Sequence, residues 1–410
     1  MDMRPSPRQQ ELVNIAYKLA VERFAPRAAE YDREAAFPAE DYADLRASGL
    51  LALCVPEEHG GLGAGFETYC LVAEQLARGN ASTALTFNMH SLSMLMMAAP
   101  IRELGLSPEV HRRHQDLSAR RFRQVVEEGV FYAQPHSEPV ESGSADQLDV
   151  GGRRFGTRAQ RVNGGYLVNG RKFFVSSAGA ADYYATPALL QADGPWETRT
   201  LYLAIPRGAP GVEFVGEWDP MGLRATVSRD MNLKDVWVPA DAEILPPGVF
   251  GQLYQRHPHL FIGFSATFLG LMQAAYDFTI DYLTGQMPAT SAQPGASPAG
   301  GDAVAEMLFT LEATRALYYR AISEEQLDPP VESTQRARAA HVQVQRSVVS
   351  LTGEAIRVCG GRATLKRYPL ERYYRDARAA AVMRPWTQEV AVQQAGETAL
   401  AKAGSDASAG

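Results

Sequence analysis

Apolar side chains recur at helical spacing along the first third of the chain. Residues that share one helical face between positions 9 and 24 are Leu12, Ile15, Ala16, Leu19 and Phe24. Segments 41–51 and 68–97 show similar spacing. This periodicity is typical of amphipathic helices with one buried face. The sequence therefore predicts a helical N-terminal domain over residues 1–129.

The pattern changes near Phe131, where short runs rich in β-branched and aromatic residues alternate with turns. Such runs predict strands rather than helices. They occupy residues 165–169, 173–176, 201–205, 212–215 and 236–239. We expect a middle β-barrel domain over residues 130–247.

Helical spacing returns after Pro247 in three long apolar stripes, followed by a last helical segment from about residue 385 to 401. Long helices of this kind predict a C-terminal four-helix bundle over residues 248–402. Residues 286–302 are rich in Pro, Ala, Ser and Gly, which predicts a flexible connection within the bundle. Residues 403–410 are expected to form a flexible tail.

Composition narrows the kind of partner. The 410 residues are 46% hydrophobic and 21% charged, with 40 basic and 47 acidic side chains giving a net charge of −7. The charges are interspersed, so electrostatic attachment to nucleic acid or to an anionic membrane is not expected. A small-molecule partner is the better hypothesis.

The cysteines and the N-terminus bear on the cellular compartment. Cys54, Cys70 and Cys359 are too scattered for a disulfide framework, and no pair has the spacing of a metal site. The first ten residues are polar and lack the apolar core of a secretory signal. We expect a cytoplasmic protein without a metal site.

Several short motifs follow one another in chain order. They are Gly60-Gly61-Leu62-Gly63, Ser137-Glu138-Pro139, Asn169-Gly170-Arg171-Lys172, Met221-Gly222-Leu223-Arg224, Gly360-Gly361 and Arg375-Asp376-Ala377-Arg378. Together with the order of helices, strands and helical bundle, they resemble the acyl-CoA dehydrogenase flavoprotein family over nearly the whole chain. The resemblance implies that the β domain and the bundle hold FAD.

The resemblance also implies roles for single residues. Ser137 takes the position of a threonine that hydrogen-bonds the flavin pyrimidine, Ser176 that of a threonine near flavin N5, and Phe174 that of an aromatic residue on the ring. The backbone of Ala133 and the paired glycines Gly360 and Gly361 complete the predicted cofactor-binding set. Without the resemblance, the two serines would be ordinary turn hydroxyls and Phe174 a core aromatic.

The sequence departs from the family at the catalytic base, which is usually a glutamate. Arg384 stands at the common base position and Leu260 at the alternative one. A guanidinium stays protonated and cannot act as a base.

Two catalytic candidates are left, Arg384 itself and His90, which lies on a helix expected to face the substrate cleft. A lone histidine on an otherwise apolar helix is, however, more often a structural residue. His257 and His259 flank the Leu260 position and are weaker candidates.

Three functions follow as hypotheses. The first is FAD-dependent α,β-dehydrogenation of an acyl thioester, acyl-CoA or a related substrate, in fatty acid metabolism, with electrons passing to an electron-transfer flavoprotein. The second is a flavin-dependent monooxygenase of the same fold, which needs no carboxylate base. The third is a non-catalytic flavin- or acyl-binding homologue. The family resemblance also implies a homodimer or homotetramer.

Overall fold

The computed structural model describes residues 5–99, 101–138, 148–149, 154–286, 298–383 and 387–409. Helices come first, an eight-stranded sheet follows, and long helices close the chain. This order agrees with the sequence-based prediction. Within the described ranges, no helix combines the length and the apolar character needed to cross a membrane.

The N-terminal domain is helical. Its first helix begins with a capping box in which the Ser6 side chain accepts from the Gln9 amide and the Gln9 side chain accepts from the Ser6 amide. The helices are α1 (Pro7–Leu19), α2 (Ala25–Glu34), α3 (Ala39–Ala47), α4 (Phe66–Gly79), α5 (Ala81–Ala98) and α6 (Pro108–Arg123). Two π-helical turns, Ala20–Phe24 and Gln124–Glu128, continue α1 into α2 and extend α6.

The described part of the middle domain contains ten strands. They are β1 (Tyr132–Ala133), β2 (Leu148–Asp149), β3 (Arg154–Phe155), β4 (Arg158–Val162), β5 (Gly165–Val175), β6 (Tyr183–Leu190), β7 (Thr200–Pro206), β8 (Val212–Val215), β9 (Arg229–Pro239) and β10 (Glu243–Leu245), with a short helix α7 (Trp196–Arg199) before β7. The main sheet has the order β10-β7-β6-β4-β5-β9-β8, and β1 pairs with β6 in parallel. Strands β2 and β3 form a separate pair.

Strand β6 was not predicted from the sequence. Its residues include two alanines and Pro187, and a proline without an N–H is unusual in the middle of a sheet. The strand nevertheless pairs with β7 along its whole length and with β4 at its end. Burial of its side chains therefore outweighs its weak strand propensity.

The C-terminal region is again helical. It comprises α8 (Val249–Arg256), α9 (Ser265–Leu283), α10 (Pro298–Ile322), α11 (Val331–Cys359), α12 (Leu370–Ala380) and α13 (Gln388–Ala409). Helix α10 starts inside the segment predicted as a connection. Helix α13 continues through residues 403–409, where the sequence analysis predicted a flexible tail, and this segment is rich in alanine, the strongest helix former.

Helix α9 packs closely on α4 of the N-terminal domain. A Cβ atom at Gly270 would lie 2.0 Å from the carbonyl oxygen of Glu74, so only glycine permits this approach. Buried apolar side chains then form one cluster that runs through all three regions. The residues just before α9, Gly263 and Phe264, are thereby held next to α5.

Candidate active site

A cavity of about 540 Å³ lies where the three regions meet. Helix α5 supplies Leu85, Asn88, Met89 and Leu92, which make one wall largely apolar. Residues that follow β1 and β5, the segment between β8 and β9, and the end of α12 line the other sides. Such a concave, mostly apolar pocket with a few polar groups is the usual form of a small-molecule site.

Both predicted serines line this cavity. Ser137 follows β1, and its carbonyl oxygen accepts the amide of Phe173 at 2.8 Å, which fixes this segment against β5. Ser176 directly follows the last residue of β5. Residues 39 positions apart in the sequence are thus brought to one side of the cavity by a bridge between the Ser137 segment and β5.

Ser176 belongs to a short row of hydroxyl groups. Its oxygen is 3.0 Å from the Ser228 hydroxyl, which is 2.8 Å from the Thr226 hydroxyl. Thr226 donates in turn to the Leu223 carbonyl at 2.8 Å. Because the Thr226 proton is used there, Ser228 donates to Thr226. The proton of Ser176 is then able to point either to Ser228 or into the cavity.

Phe174 lies at the mouth of the cavity. It is 64% exposed, and its ring meets Trp218 edge to face at a centroid distance of 6.4 Å. Its backbone has a φ of 51°, in the left-handed region that a bulky residue rarely adopts. The sequence-based alternative of a core aromatic is therefore wrong for Phe174, because its side chain is exposed at the cavity mouth.

Strained backbone concentrates around this cavity. Four of the seven non-glycine residues with positive φ in the described chain, Phe174, Ser177, Leu223 and Val227, line the cavity or adjoin its lining. Each such conformation costs about 1–3 kcal/mol and persists only when the surrounding structure fixes it. Strain of this kind is common at functional sites, so the hydroxyl row and Phe174 are held in place at an energetic cost.

Two further lining residues, Gln134 and His136, were missed by the sequence analysis. The Gln134 side chain donates to the Ser93 hydroxyl at 3.1 Å. Burial, together with the nearby charge of Lys172, lowers the pKa of His136 to about 3, so its imidazole is neutral at physiological pH. In the sequence, their one distinguishing feature was closeness to Ser137, which follows His136 directly and Gln134 by three positions.

Behind Ser137 lies a buried ion pair between Glu138 and Lys172. Lys172 is 0% exposed and the Glu138 side chain 3%. The Glu138 carboxylate also accepts from the Thr157 amide at 3.0 Å and hydroxyl at 2.6 Å, while Lys172 donates to the Pro187 carbonyl at 2.8 Å. Burial lowers the pKa of Lys172 against the opposing effect of Glu138. This network ties the Ser137 segment to β5 and β6.

Arg375 joins all three regions beside the cavity. Its guanidinium binds both carboxylate oxygens of Asp32, at 3.0 and 2.6 Å, and donates to the Met221 carbonyl at 2.9 Å. Asp376 accepts the Leu223 amide at 2.6 Å, and burial raises the pKa of Asp376 to about 6. A Cβ atom at Gly222 would lie 2.2 Å from the Arg375 carbonyl oxygen. The two arginine-containing motifs therefore meet directly.

The structure gives His90 a different place from the one proposed for a catalytic base. Its Nδ1 accepts the Tyr132 amide at 3.1 Å, and its Nε2 is 2.8 Å from the Leu51 carbonyl, which fixes the proton on Nε2. The side chain is 0% exposed and does not line the cavity. Burial lowers the pKa of His90 to about 4. This geometry supports the structural alternative.

Arg384, the other catalytic candidate, lies outside the described residues. Among the residues that the structure describes around the cavity, none is an aspartate or glutamate, and the charged one is Arg378. His257 and His259 do not line the cavity; His257 pairs with Glu325. The described lining therefore offers no carboxylate base.

The remaining predicted cofactor residues lie away from this cavity. Ala133 is 1% exposed within β1, and its successor Gln134 reaches the lining instead. Gly360 and Gly361 follow the end of α11 and do not line the cavity. Within one chain, the structure thus brings together Ser137, Phe174 and Ser176 but not the paired glycines.

Comparison with known proteins shows which family has this architecture. Family models of the N-terminal, middle and C-terminal domains of acyl-CoA dehydrogenases match residues 6–113, 143–236 and 262–400. A putative acyl-CoA dehydrogenase of Bacillus subtilis, YdbM, is 31% identical over 87% of this chain and 89% of its own length. The chain belongs to the acyl-CoA dehydrogenase family. The resemblance inferred from the ordered motifs is confirmed.

Solved structures with this fold include proteins with two different activities. Butyryl-CoA dehydrogenase from Megasphaera elsdenii superposes with a TM-score of 0.79 at 24% identity, covering 98% of this chain and 100% of its own. FMN-bound TdsC, a dibenzothiophene monooxygenase from Paenibacillus sp. A11-2, gives 0.78 at 23% identity, covering 94% and 96%. At these identities the likeness shows the acyl-CoA dehydrogenase fold.

Proposed function

We propose that this protein is a flavin-dependent oxidoreductase that carries out α,β-dehydrogenation of an acyl thioester or a similar substrate. The observation that carries the proposal is the placement of Ser137, Ser176 and Phe174 around one cavity. Family membership supports the same chemistry. FAD is the proposed cofactor.

The described lining suits a planar ring with one polar edge. Ser137, His136 and the Ser176 hydroxyl row supply polar groups on one side, while α5 supplies an apolar face and Phe174 an aromatic one. When bound, a flavin would accept two electrons from the substrate or, once reduced, deliver electrons to oxygen. Ser137 and Ser176 are the residues proposed to hold its polar edge.

The residues of the chain contribute in distinct ways. Ser176 is able to donate into the cavity without leaving Ser228 unpaired, since Ser228 itself donates to Thr226. His136 stays neutral, so it binds through hydrogen bonds without adding charge. Arg378 supplies positive charge near negative charge that develops during the reaction. The apolar α5 wall excludes water from the acyl part of the substrate.

The flavin-dependent monooxygenase is a second candidate, favoured by one specific observation. The described lining contains no carboxylate, and the sequence places Arg384 where the family keeps its base. Removal of an α-proton from a thioester requires a base, whereas oxygenation does not depend on one at that position. The same pair of observations is compatible with a non-catalytic homologue.

Anaerobic mixing with acyl-CoAs of several lengths separates these functions. Under the dehydrogenase proposal, at least one thioester bleaches the oxidised flavin absorbance, and Ser176→Ala slows that reduction by about 10²-fold. No bleaching with any thioester, together with substrate-dependent oxygen consumption driven by externally reduced flavin, would favour the monooxygenase. A protein that takes up no flavin would favour the non-catalytic homologue.

Substitution of Arg384 tests the base position directly. A gain of thioester oxidation in Arg384→Glu, absent in the matched control Arg384→Gln, means that the wild-type site lacks only a carboxylate. Loss of an existing activity in both variants instead gives Arg384 a positive role in the reaction.

We also propose a cytoplasmic homodimer or homotetramer that transfers electrons to an electron-transfer flavoprotein. Phe264 lines the cavity at the beginning of α9. Tyr282 lies at the other end of this helix, about 27 Å away along its axis. The Cys359 thiol interacts with Thr279 near the Tyr282 end, so the adjacent Gly360 and Gly361 lie far from their own cavity. In an oligomer, these glycines are proposed to approach the cofactor of the neighbouring copy. Gel filtration with light scattering tests the assembly.

A further inference from the structure

A second cleft, of about 440 Å³, lies on another side of the molecule. It is bounded by the end of α6 and its π-helical extension on one side, and by β7 and residues 239–242 on the other. None of its lining residues belongs to the lining of the cavity described above. The proposed flavin chemistry gives this cleft no role.

The cleft contains the buried guanidinium of Arg121. This residue is 8% exposed. It donates to the carbonyl oxygens of Leu117 at 3.3 Å and Asp241 at 2.6 Å, and it interacts with the Tyr132 hydroxyl. All three partners are neutral groups. Across the part of the chain that the structure describes, Arg121 makes no salt bridge, although Arg113 and Arg120 on the same helix each do.

Burying a guanidinium that makes no salt bridge is unfavourable. Burial lowers the pKa of Arg121, although the nearby Tyr132 and Asp241 oppose this effect. The contacts between α6 and the β10 region do not depend on this charge alone. Arg113 donates to the Ala240 carbonyl at 2.8 Å and pairs with Glu243 at 2.6 Å, and Arg120 pairs with Asp241 at 3.2 Å. Arg121 therefore has donor capacity beyond its role in joining the two elements.

The walls of the cleft favour a flat, partly apolar ligand. Tyr132 and Tyr183 stack with their ring centroids 5.4 Å apart and an interplanar angle of 19°. Ala204, Pro206 and Pro239 extend this surface. Aromatic and proline faces of this kind bind planar organic groups through dispersion and burial of apolar area.

The charges at the rim distinguish between classes of anion. Glu127 and Glu128 are exposed beside the opening, and so are Arg123 and the ion pair of Arg120 with Asp241. Three carboxylates and two guanidinium groups leave the rim with one net negative charge, which repels a dianion more strongly than a monoanion. A guanidinium, with its planar fork of donors, matches a carboxylate in particular.

We propose that this cleft binds a small planar monocarboxylate, with the carboxylate on Arg121 and the flat body against Tyr183, whose ring is supported from behind by the buried Tyr132. The site is separate from the cavity proposed for flavin, so it stands whether or not that proposal holds. Benzoate is a suitable probe, and benzamide is its neutral counterpart of the same shape.

Isothermal titration of the full-length protein tests the site. Benzoate is expected to bind saturably with a stoichiometry of one per chain, and benzamide and inorganic phosphate at least about tenfold more weakly. Arg121→Met should weaken benzoate binding by about tenfold or more. Arg378→Met, which removes the charged residue of the other cavity, should leave benzoate binding within about twofold.

Arg121→Lys serves as a second variant in case Arg121→Met does not fold. It keeps the charge but loses the fork, so weakened benzoate binding is again expected. The proposal is overturned if benzoate shows no saturable binding at about 10 mM. It is also overturned if benzamide binds equally well, if the folded Arg121 variants bind like wild type, or if binding is lost only in Arg378→Met.

Discussion

The buried imidazole of His90 makes the stability of the protein depend on pH below neutrality. Burial lowers the pKa of His90 to about 4, whereas an unperturbed histidine titrates near 6.5. Because the folded-state pKa is depressed, the unfolded chain takes up a proton in this range that the folded protein does not. The contribution of His90 is therefore fully present above about pH 6.5 and is lost as the pH falls towards about 4.

The magnitude follows from the separation between the two pKa values. About two and a half pH units at 1.36 kcal/mol each give about 3 kcal/mol when the loss is complete. By about pH 4.5 roughly 2.5 kcal/mol of it is gone. Burial also lowers the pKa of His114 and His259 to about 4 and that of His136 to about 3. The wild-type protein as a whole is therefore expected to lose stability in acid more steeply than His90 alone requires.

His90→Gln isolates the single residue. Glutamine is neutral and offers both a donor for the Leu51 carbonyl and an acceptor for the Tyr132 amide. Urea unfolding of wild type and variant, measured from about pH 7.5 to about pH 4.5, gives the difference between their free energies of unfolding. This difference should change by about 2.5 kcal/mol in favour of the variant as the pH falls.

His90→Asn is the matched control, because it also removes the titrating group. Its absolute stability will differ from that of His90→Gln, but the change of the difference with pH should be the same. A difference that stays constant over the whole range would refute the assignment of His90 as a buried neutral imidazole. A catalytic role would instead appear as loss of turnover in both variants with unchanged ligand binding.

Three further predictions concern the structure around the cavity. Lys172→Met leaves the Glu138 carboxylate buried without its partner and should lower the free energy of unfolding by about 3–5 kcal/mol. Adding Glu138→Gln should recover most of this loss, and a double-mutant cycle in urea measures both effects. Arg375→Lys keeps the charge but loses the bidentate contact with Asp32, so a loss of about 1.5–3 kcal/mol is expected, and a stability equal to wild type in calorimetry would contradict it. Ser228→Ala interrupts the hydroxyl row and should weaken flavin binding, measured by fluorescence titration, by less than a direct change of Ser176.

Much of the fold could be predicted because its signals are local. The apolar stripes of α1, α9 and α11 follow the helical period, and the alternation in β9 follows that of a strand, so each element shows its buried face in its own residues. Strand β6 was missed for the opposite reason. Its alanines and Pro187 carry a weak local signal, and only the pairing with β7 and β4 stabilises it as a strand.

The candidate site was predicted in part. Ser137, Phe174 and Ser176 were found because they belong to motifs whose order the sequence preserves. His90 looked chemically competent in the sequence, but the chemistry of a histidine depends on its surroundings, and two main-chain groups occupy both of its nitrogens. His136 and Gln134 belong to no periodic pattern, so only the folded chain shows that they reach the cavity.

The sequence by itself determined the family, the order of the domains and the residues available for chemistry, including Arg384 and Leu260 at the two positions where a base was expected. The tertiary structure decided which of these residues meet. Asp32 and Arg375 bind each other across 343 positions of the sequence, and among the described residues Arg121 is buried without a salt bridge between elements that lie far apart in the chain. Contacts of this range depend on packing and desolvation in three dimensions, which no local pattern records.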